Sequence, residues 1–181
     1  DRRGLMWFGT DKGLTCFDGS RFRAYDLEDG LPDLEVLKMK EDSKGRLWLF
    51  CFRKEPCYLL NGRIVTQKQD SLLAKINLTS NIHNISEDSS GGLWFFEYSE
   101  KVYYSRDNRV VTYTLPEWAV RLEKVGNKYL LLAVNSILQP EPSGVARTLY
   151  RTEGQSGWTS IGVSDNHILY SYKEHLILLE L

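Results

Sequence analysis

A phrase built around tryptophan returns at near-regular steps along this chain, and the period limits the folds open to it more than any other feature. Trp7, Trp48 and Trp94 sit in similar apolar runs, spaced 41 and 46 residues apart. Carrying the register forward places Tyr129 where the tryptophan stood, and then Ile168, after steps of 35 and 39 residues. Self-similarity of this kind must be read before local propensity, because each unit is one supersecondary element that buries its face only against the next. The spacing excludes a coiled coil and a doubly wound enzyme fold.

Within one unit the strands can be read directly. VLKMKE (36–41) alternates, and Asp42-Ser43-Lys44-Gly45 is a tight turn whose Asp and Ser can satisfy turn amides. RLWLFCF (46–52) is a second strand, CYLL (57–60) a third, Asn61-Gly62 a hairpin signal and RIVT (63–66) a fourth. The phrase recurs with Glu87-Asp88 and Gly92 in the turn and Leu93-Trp94 in the second strand. The chain opens in mid-unit, with GLMWFGT (4–10), GLTCF (13–17) and RFRAY (21–25) as second, third and fourth strands. Towards the C-terminus the pattern weakens. AVRLEKVGNKYLLLAV (119–134) keeps the strand-turn-strand shape, with ARTLYR (146–151) and WTSIGV (158–163) expected as its third and fourth strands, unless the last begins the next unit. QPEPSG (139–144) reads as a loop, and LPEWAVRLEKV (115–125) is the one stretch that competes as a helix.

Four short antiparallel strands per roughly 40–50 residues describe a propeller blade. The expected fold is therefore all-β: a partial β-propeller of about four to five four-stranded antiparallel blades, with boundaries near 1–27, 34–67, 80–114, 118–162 and 163–181. The first and last would be incomplete, and open blade edges would favour self-association. Trp7, Trp48, Trp94 and Tyr129 are the expected repeat core, and Asp42, Gly45, Asp88 and Gly92 the turn residues.

Composition narrows the function. Hydrophobic residues make up 42% and aromatics 12%, enough for a packed core. Lys plus Arg number 23 against 24 Asp plus Glu, a net charge of −1, so no overall positive field recruits nucleic acid or an anionic membrane. No apolar run is long enough to span a bilayer. The opening DRRGLMWFGT reads as a piece excised from a longer polypeptide, so a membrane connection would lie in segments outside it.

By this point residues 4–50 closely resemble the two-component regulator propeller repeat. The likeness rests on Trp7-Phe8-Gly9-Thr10, Gly13-Leu14, Phe17-Asp18-Gly19, Phe22, Tyr25, Asp29-Gly30-Leu31-Pro32, Glu41-Asp42, Gly45 and Leu47-Trp48, and it extends over 80–97. It implies the periplasmic sensor part of a bacterial, often hybrid, sensor histidine kinase, in which phosphorelay is carried by domains outside this chain. It also implies that an oligosaccharide or other small molecule is the ligand. No phosphoacceptor, nucleotide-binding or receiver motif occurs here, so no catalysis is expected of the chain itself. A protein-binding propeller scaffold is the alternative, and a propeller lyase or glycosidase a third.

Other candidate chemistry has plain structural readings. The Glu-Asp pairs point to opposite faces of a strand and do not form an acid/base dyad. The Asp42 turn lacks the further oxygen ligands that calcium needs. His83, His167 and His175 share no metal spacing, and no cofactor or metal is expected. Cys51 and Cys57 flank a loop, as either a cross-strand disulfide or two free buried thiols. Sequons at Asn77 and Asn84 read as chance. A propeller ligand would be walled by the loops from second to third strand and from fourth to next first strand. Of their residues Arg53, Tyr98 and Trp118 offer the fork and flat rings that a sugar wants.

Overall fold

The computed structural model describes residues 1–151, 161–164, 166–172 and 175–180. Its strands are short and fall into five antiparallel sheets, each built in chain order from neighbours. The first sheet holds β1 (Met6–Thr10), β2 (Gly13–Phe17) and β3 (Phe22–Tyr25). The second holds β4 (Val36–Glu41), β5 (Leu47–Cys51), β6 (Cys57–Leu60) and β7 (Arg63–Val65). β8 (Ile82–Glu87), β9 (Leu93–Glu97), β10 (Lys101–Arg106) and β11 (Arg109–Thr114) form the third. β12 (Ala119–Val125), β13 (Lys128–Ala133), β14 (Ser136–Pro140) and β15 (Ala146–Arg151) form the fourth. The last contains β16 (Ile161–Val163), β17 (His167–Tyr172) and β18 (His175–Glu180). A 3₁₀ turn at Leu73–Lys75 interrupts the linker after β7. The competing helix over 115–125 is not formed: its β-branched and alternating residues enter β12.

Two expectations for the fourth unit are corrected. Its third strand is Ser136–Pro140, which pairs with β13 on one side and with Ala146–Arg151 on the other, so ARTLYR is the fourth strand. Gln139 and Pro140 therefore belong to a strand, and proline is tolerated because it ends one. Ile161–Val163 pairs with β17 and opens the last sheet, so the unit does not run to residue 162. Trp158 lies outside the described residues.

The chain divides into two compact units, Asp1–His83 with Asp107–Val110, and Asn84–Arg106 with Val111–Leu181. In the first, sheets one and two share a core in which Leu14, Cys16, Tyr25 and Trp7 meet Leu47, Leu49, Cys57, Leu59 and Ile64. Gly9 allows the two sheets to close, since a Cβ there would stand 2.6 Å from the Val36 carbonyl oxygen. In the second unit Trp94, Phe96 and Val102 pack on Leu131, Ala133 and Leu138. On the other face of the fourth sheet, Leu130, Leu132 and Ile137 pack on Ile168.

This alternation corrects the fourth core position. Residues 131 and 133 face the third sheet, and Tyr129 shares their side: its hydroxyl meets the Ser89 backbone N–H at 2.5 Å and the Ser89 Oγ at 2.7 Å. Trp94 faces the fourth sheet from the third, towards the following unit. The residue of β13 that faces the following unit in the same way is Leu130, fully buried. Tyr129 is half-buried and points back. All three cysteines are free and buried, so Cys51 and Cys57 form no disulfide.

Candidate functional site

Each of the first three sheets is organised by one carboxylate. Asp42 Oδ1 accepts from the Lys44 and Arg46 amides at 2.9 and 3.0 Å, and Oδ2 accepts from Arg46 Nε at 2.6 Å and Trp48 Nε1 at 2.8 Å. Asp88 repeats the arrangement. Its Oδ1 takes the Ser90 and Gly92 amides, both at 2.9 Å, and its Oδ2 takes the Trp94 indole at 3.3 Å. Asp1 does the same for the first sheet, accepting from the Arg3 and Leu5 amides and from Trp7 Nε1 at 3.0 Å. The expected turn role of Asp42 and Asp88 is thus widened to a clasp on the indole six residues later. Asp1 was not singled out from sequence, although the same offset from Trp7 marks it. Gly45 and Gly91 carry the left-handed turn, at φ 73° and 79°. Gly92 is held for a different reason: a Cβ there would lie 2.4 Å from the Tyr104 ring.

Burial alone would raise the Asp88 carboxyl, but hydrogen bonds from the Ser90 side chain, the Gly92 and Ser90 amides and the Trp94 indole outweigh it and hold it below the usual carboxylate value. These carboxylates are spent on structure. Among the described residues no three His, Cys, Asp or Glu side chains are grouped to hold a metal ion.

The loop positions divide between the two units. In the second, Tyr98 and Trp118 come together from the β9–β10 turn and the segment before β12, with ring centroids 5.8 Å apart and planes tilted by 41°. They are 62% and 39% exposed, high for large aromatic rings. Their loops are pinned. Leu115 N donates to the Glu100 carbonyl at 2.8 Å, and Val134 N donates to the Trp118 carbonyl at 3.3 Å. Buried Glu97 accepts from Ser99 Oγ at 2.6 Å and from the Tyr103 hydroxyl at 3.2 Å. Glu117 accepts from the Asn135 backbone and side chain and from the Ser136 hydroxyl. Burial, followed by the Glu97 charge, pushes the Tyr103 phenol well up, so it stays a donor. The result is an anchored, exposed two-ring platform, suited to stacking on a flat apolar ligand face.

Arg53 belongs to the first unit. It is exposed beside a cleft of about 10 Å³ that Asn81 and Ile82 also line, the volume of one water and far short of a sugar ring. Lys54 Nζ donates to the Thr79 carbonyl at 3.0 Å, so these two loops also share an edge. A larger concavity of this unit lies elsewhere, about 430 Å³ between the first and second sheets. Sequence reasoning assigned no site there.

The fold and clasps define a class: short antiparallel sheets of three or four strands laid down in chain order, the first three each keyed by a turn carboxylate bonded to a tryptophan indole. No family model matches the sequence, and no curated protein matches it. Solved structures do. The chain is similar to virginiamycin B lyase from Staphylococcus aureus, at TM-score 0.65 and 18% identity over 100% of this chain and 68% of that one. It is similar to the extracellular domain of the putative hybrid two-component system BT4673 from B. thetaiotaomicron, at TM-score 0.71 and 14% identity, covering 99% of this chain and 26% of that one. The WD40 β-propeller domain of Doa1 matches at TM-score 0.61 and 12% identity, over 94% and 59% of the two chains. The chain thus spans about a quarter of the extracellular domain it matches. At these identities the likeness is one of fold, to propeller sheets.

Proposed function

We propose that this chain is a ligand-sensing segment, four to five blades of a β-propeller, from the extracytoplasmic and periplasmic part of a two-component sensor histidine kinase. Phosphorelay would be the work of domains outside it. The observation that carries the reading is the match of 99% of the chain to the BT4673 extracellular domain, together with the repeat likeness over residues 4–50. Tyr98 and Trp118 are the proposed ligand contacts, with an oligosaccharide as the ligand class; the cleft beside Arg53 supports that residue less. Ligand binding would bias one of two arrangements of the parent sensor, which requires different affinity for each. Calorimetric titration of the 181-residue chain with an oligosaccharide panel tests this. Heat from one or more sugars, lost in Trp118→Ala, is expected; a flat response to the whole panel from folded protein overturns it.

Self-association is the second part of the proposal. The outward face of the first sheet leaves Met6 55%, Phe8 42% and Phe22 70% exposed. The corresponding residues of β5, Leu47 and Leu49, are buried against the sheet before them. A second copy of this chain is the proposed occupant, because the face continues the chain's own sheet-on-sheet chemistry. Sedimentation should show a concentration-dependent dimer that Phe8→Lys abolishes, and a monomer at all concentrations would refute it.

A further inference from the structure

The cleft of about 430 Å³ in the first unit lies where the repeat changes. On the strand next to each tryptophan, a fixed register position faces the indole. For Trp48 it is Tyr58, with ring centroids 5.0 Å apart, and for Trp94 it is Tyr104, at 4.4 Å. For Trp7 it is Cys16. A phenol that elsewhere fills the space over the indole is replaced by a thiol, and Trp7 remains half-buried where Trp48 and Trp94 are buried.

The next strand departs as well. Val65 stands opposite Tyr58, whereas Arg23 stands opposite Cys16. The Arg23 guanidinium lies 4.5 Å from the centre of the Tyr25 ring, and that ring is 6.0 Å from Trp7. Arg3 and Arg21 also line the cleft, with Asp18 the one carboxylate among its lining residues. Asp18 Oδ1 is committed to its own turn, accepting from the Ser20 and Arg21 amides at 2.8 and 2.7 Å. In the second sheet the Arg46 guanidinium lies against both rings, 5.2 Å from the centre of Trp48 and 5.4 Å from that of Tyr58. In the first, Arg3 pairs with Asp1 at 3.0 Å and keeps 54% of its side chain exposed. Three arginines therefore line a pocket together with Trp7, Tyr25 and Leu59.

We infer that this cleft binds a small ligand combining an oxyanion with a flat apolar ring. A guanidinium fork recognises carboxylate, sulfate or phosphate bidentately, and an indole and a phenol offer stacking faces. The volume lies in the range of small-molecule sites. The site is separate from the Tyr98 and Trp118 platform, and neither depends on the other.

Calorimetry on the full 181-residue chain decides the matter with phenylacetate, phenyl sulfate and phenyl phosphate as probes and phenylacetamide as the uncharged control. At least one oxyanion is expected to bind, about tenfold or more tighter than the amide, and comparison of the three identifies the preferred head. Cys16→Tyr restores the filler of the other repeats and is expected to abolish binding while circular dichroism stays unchanged. Should that variant not fold, Arg23→Gln serves instead, with an expected loss of about tenfold. Lys68→Gln, an exposed charge change in the same unit away from the cleft, is expected to bind as the parent does. No binding of any oxyanion, equal binding of phenylacetamide, or unchanged affinity in Arg23→Gln would each overturn the proposal.

Discussion

Replacing Asp42 by alanine is expected to cost a large fraction of the stability of the first unit. The carboxylate is buried and accepts four hydrogen bonds, two from amides, one from Arg46 Nε and one from the Trp48 indole. A hydrogen bond to a charged group contributes about 1.5–3 kcal/mol, but bonds sharing one acceptor do not add. Truncation also leaves the Trp48 indole N–H without its acceptor in a dry environment, at about 1–3 kcal/mol, and strips Arg46 of its partner. Together these give about 3–5 kcal/mol, against total stabilities of about 5–15 kcal/mol. Urea unfolding followed by far-ultraviolet circular dichroism measures it without relying on the perturbed indole. Trp48→Phe keeps most of the packing and removes the donor, so a cycle with Asp42→Ala should show a coupling of about 1 kcal/mol or more. A loss below about 1 kcal/mol for Asp42→Ala, or no coupling with Trp48→Phe, would refute the clasp as a stabilising device.

The Asp88 carboxyl is held below the usual value, so its contribution is present above about pH 4 and is lost as pH falls through the lower folded value; Asp88→Asn should flatten the acid limb of a melting-temperature profile. Burial, then the Asp70 acceptor at 2.9 Å, pushes the Tyr58 phenol up to about 12. The stability it supplies is therefore complete below about pH 10 and is lost on the approach to pH 12, and Tyr58→Phe should remove that slope from alkaline unfolding curves. In the fourth sheet Leu130→Ala should cost about 2–5 kcal/mol and Tyr129→Phe about 1 kcal/mol or less in denaturant titrations, since only the former opens the core.

The sequence disclosed the units because the tryptophan phrases carry their own punctuation: a turn with Asp and Gly before, an apolar strand after. It failed where that punctuation shortened. The turn before Tyr129 is only Gly126-Asn127, with no long loop for a carboxylate to cap, and the strand enters one residue out of phase. A slip of one residue exchanges the two faces of a strand, so Leu130 takes the inward place and an aromatic match at 129 misleads. The third strand at Ser136–Pro140 was hidden by its own ending, since a Pro-Glu-Pro run reads as a loop although its first proline closes a strand. Tyr98 and Trp118 could be chosen from topology alone, because loops at one end of a meander must meet. The arginine cleft could not, because it depends on which residue stands opposite Trp7, and that is a matter of register.

That dependence bears on how such a fold acquires sites. The clasp between Asp and Trp holds the indole in place within its own sheet, and the residue facing the indole decides how much of the space over it is filled. In the second and third sheets a tyrosine fills it, its ring tilted on the indole at centroid distances of 5.0 and 4.4 Å. In the first sheet the clasp is kept, with Trp7 Nε1 on Asp1 at 3.0 Å, and the smaller Cys16 lines an open cleft. A cleft formed by removing a filler from a rigid repeat needs no special loop, and the substitution next to it, Arg23 for a valine, supplies its charge. The scaffold is thus divided between residues that hold the indole and residues that occupy the space over it. New recognition arises by changing the second kind while leaving the first alone.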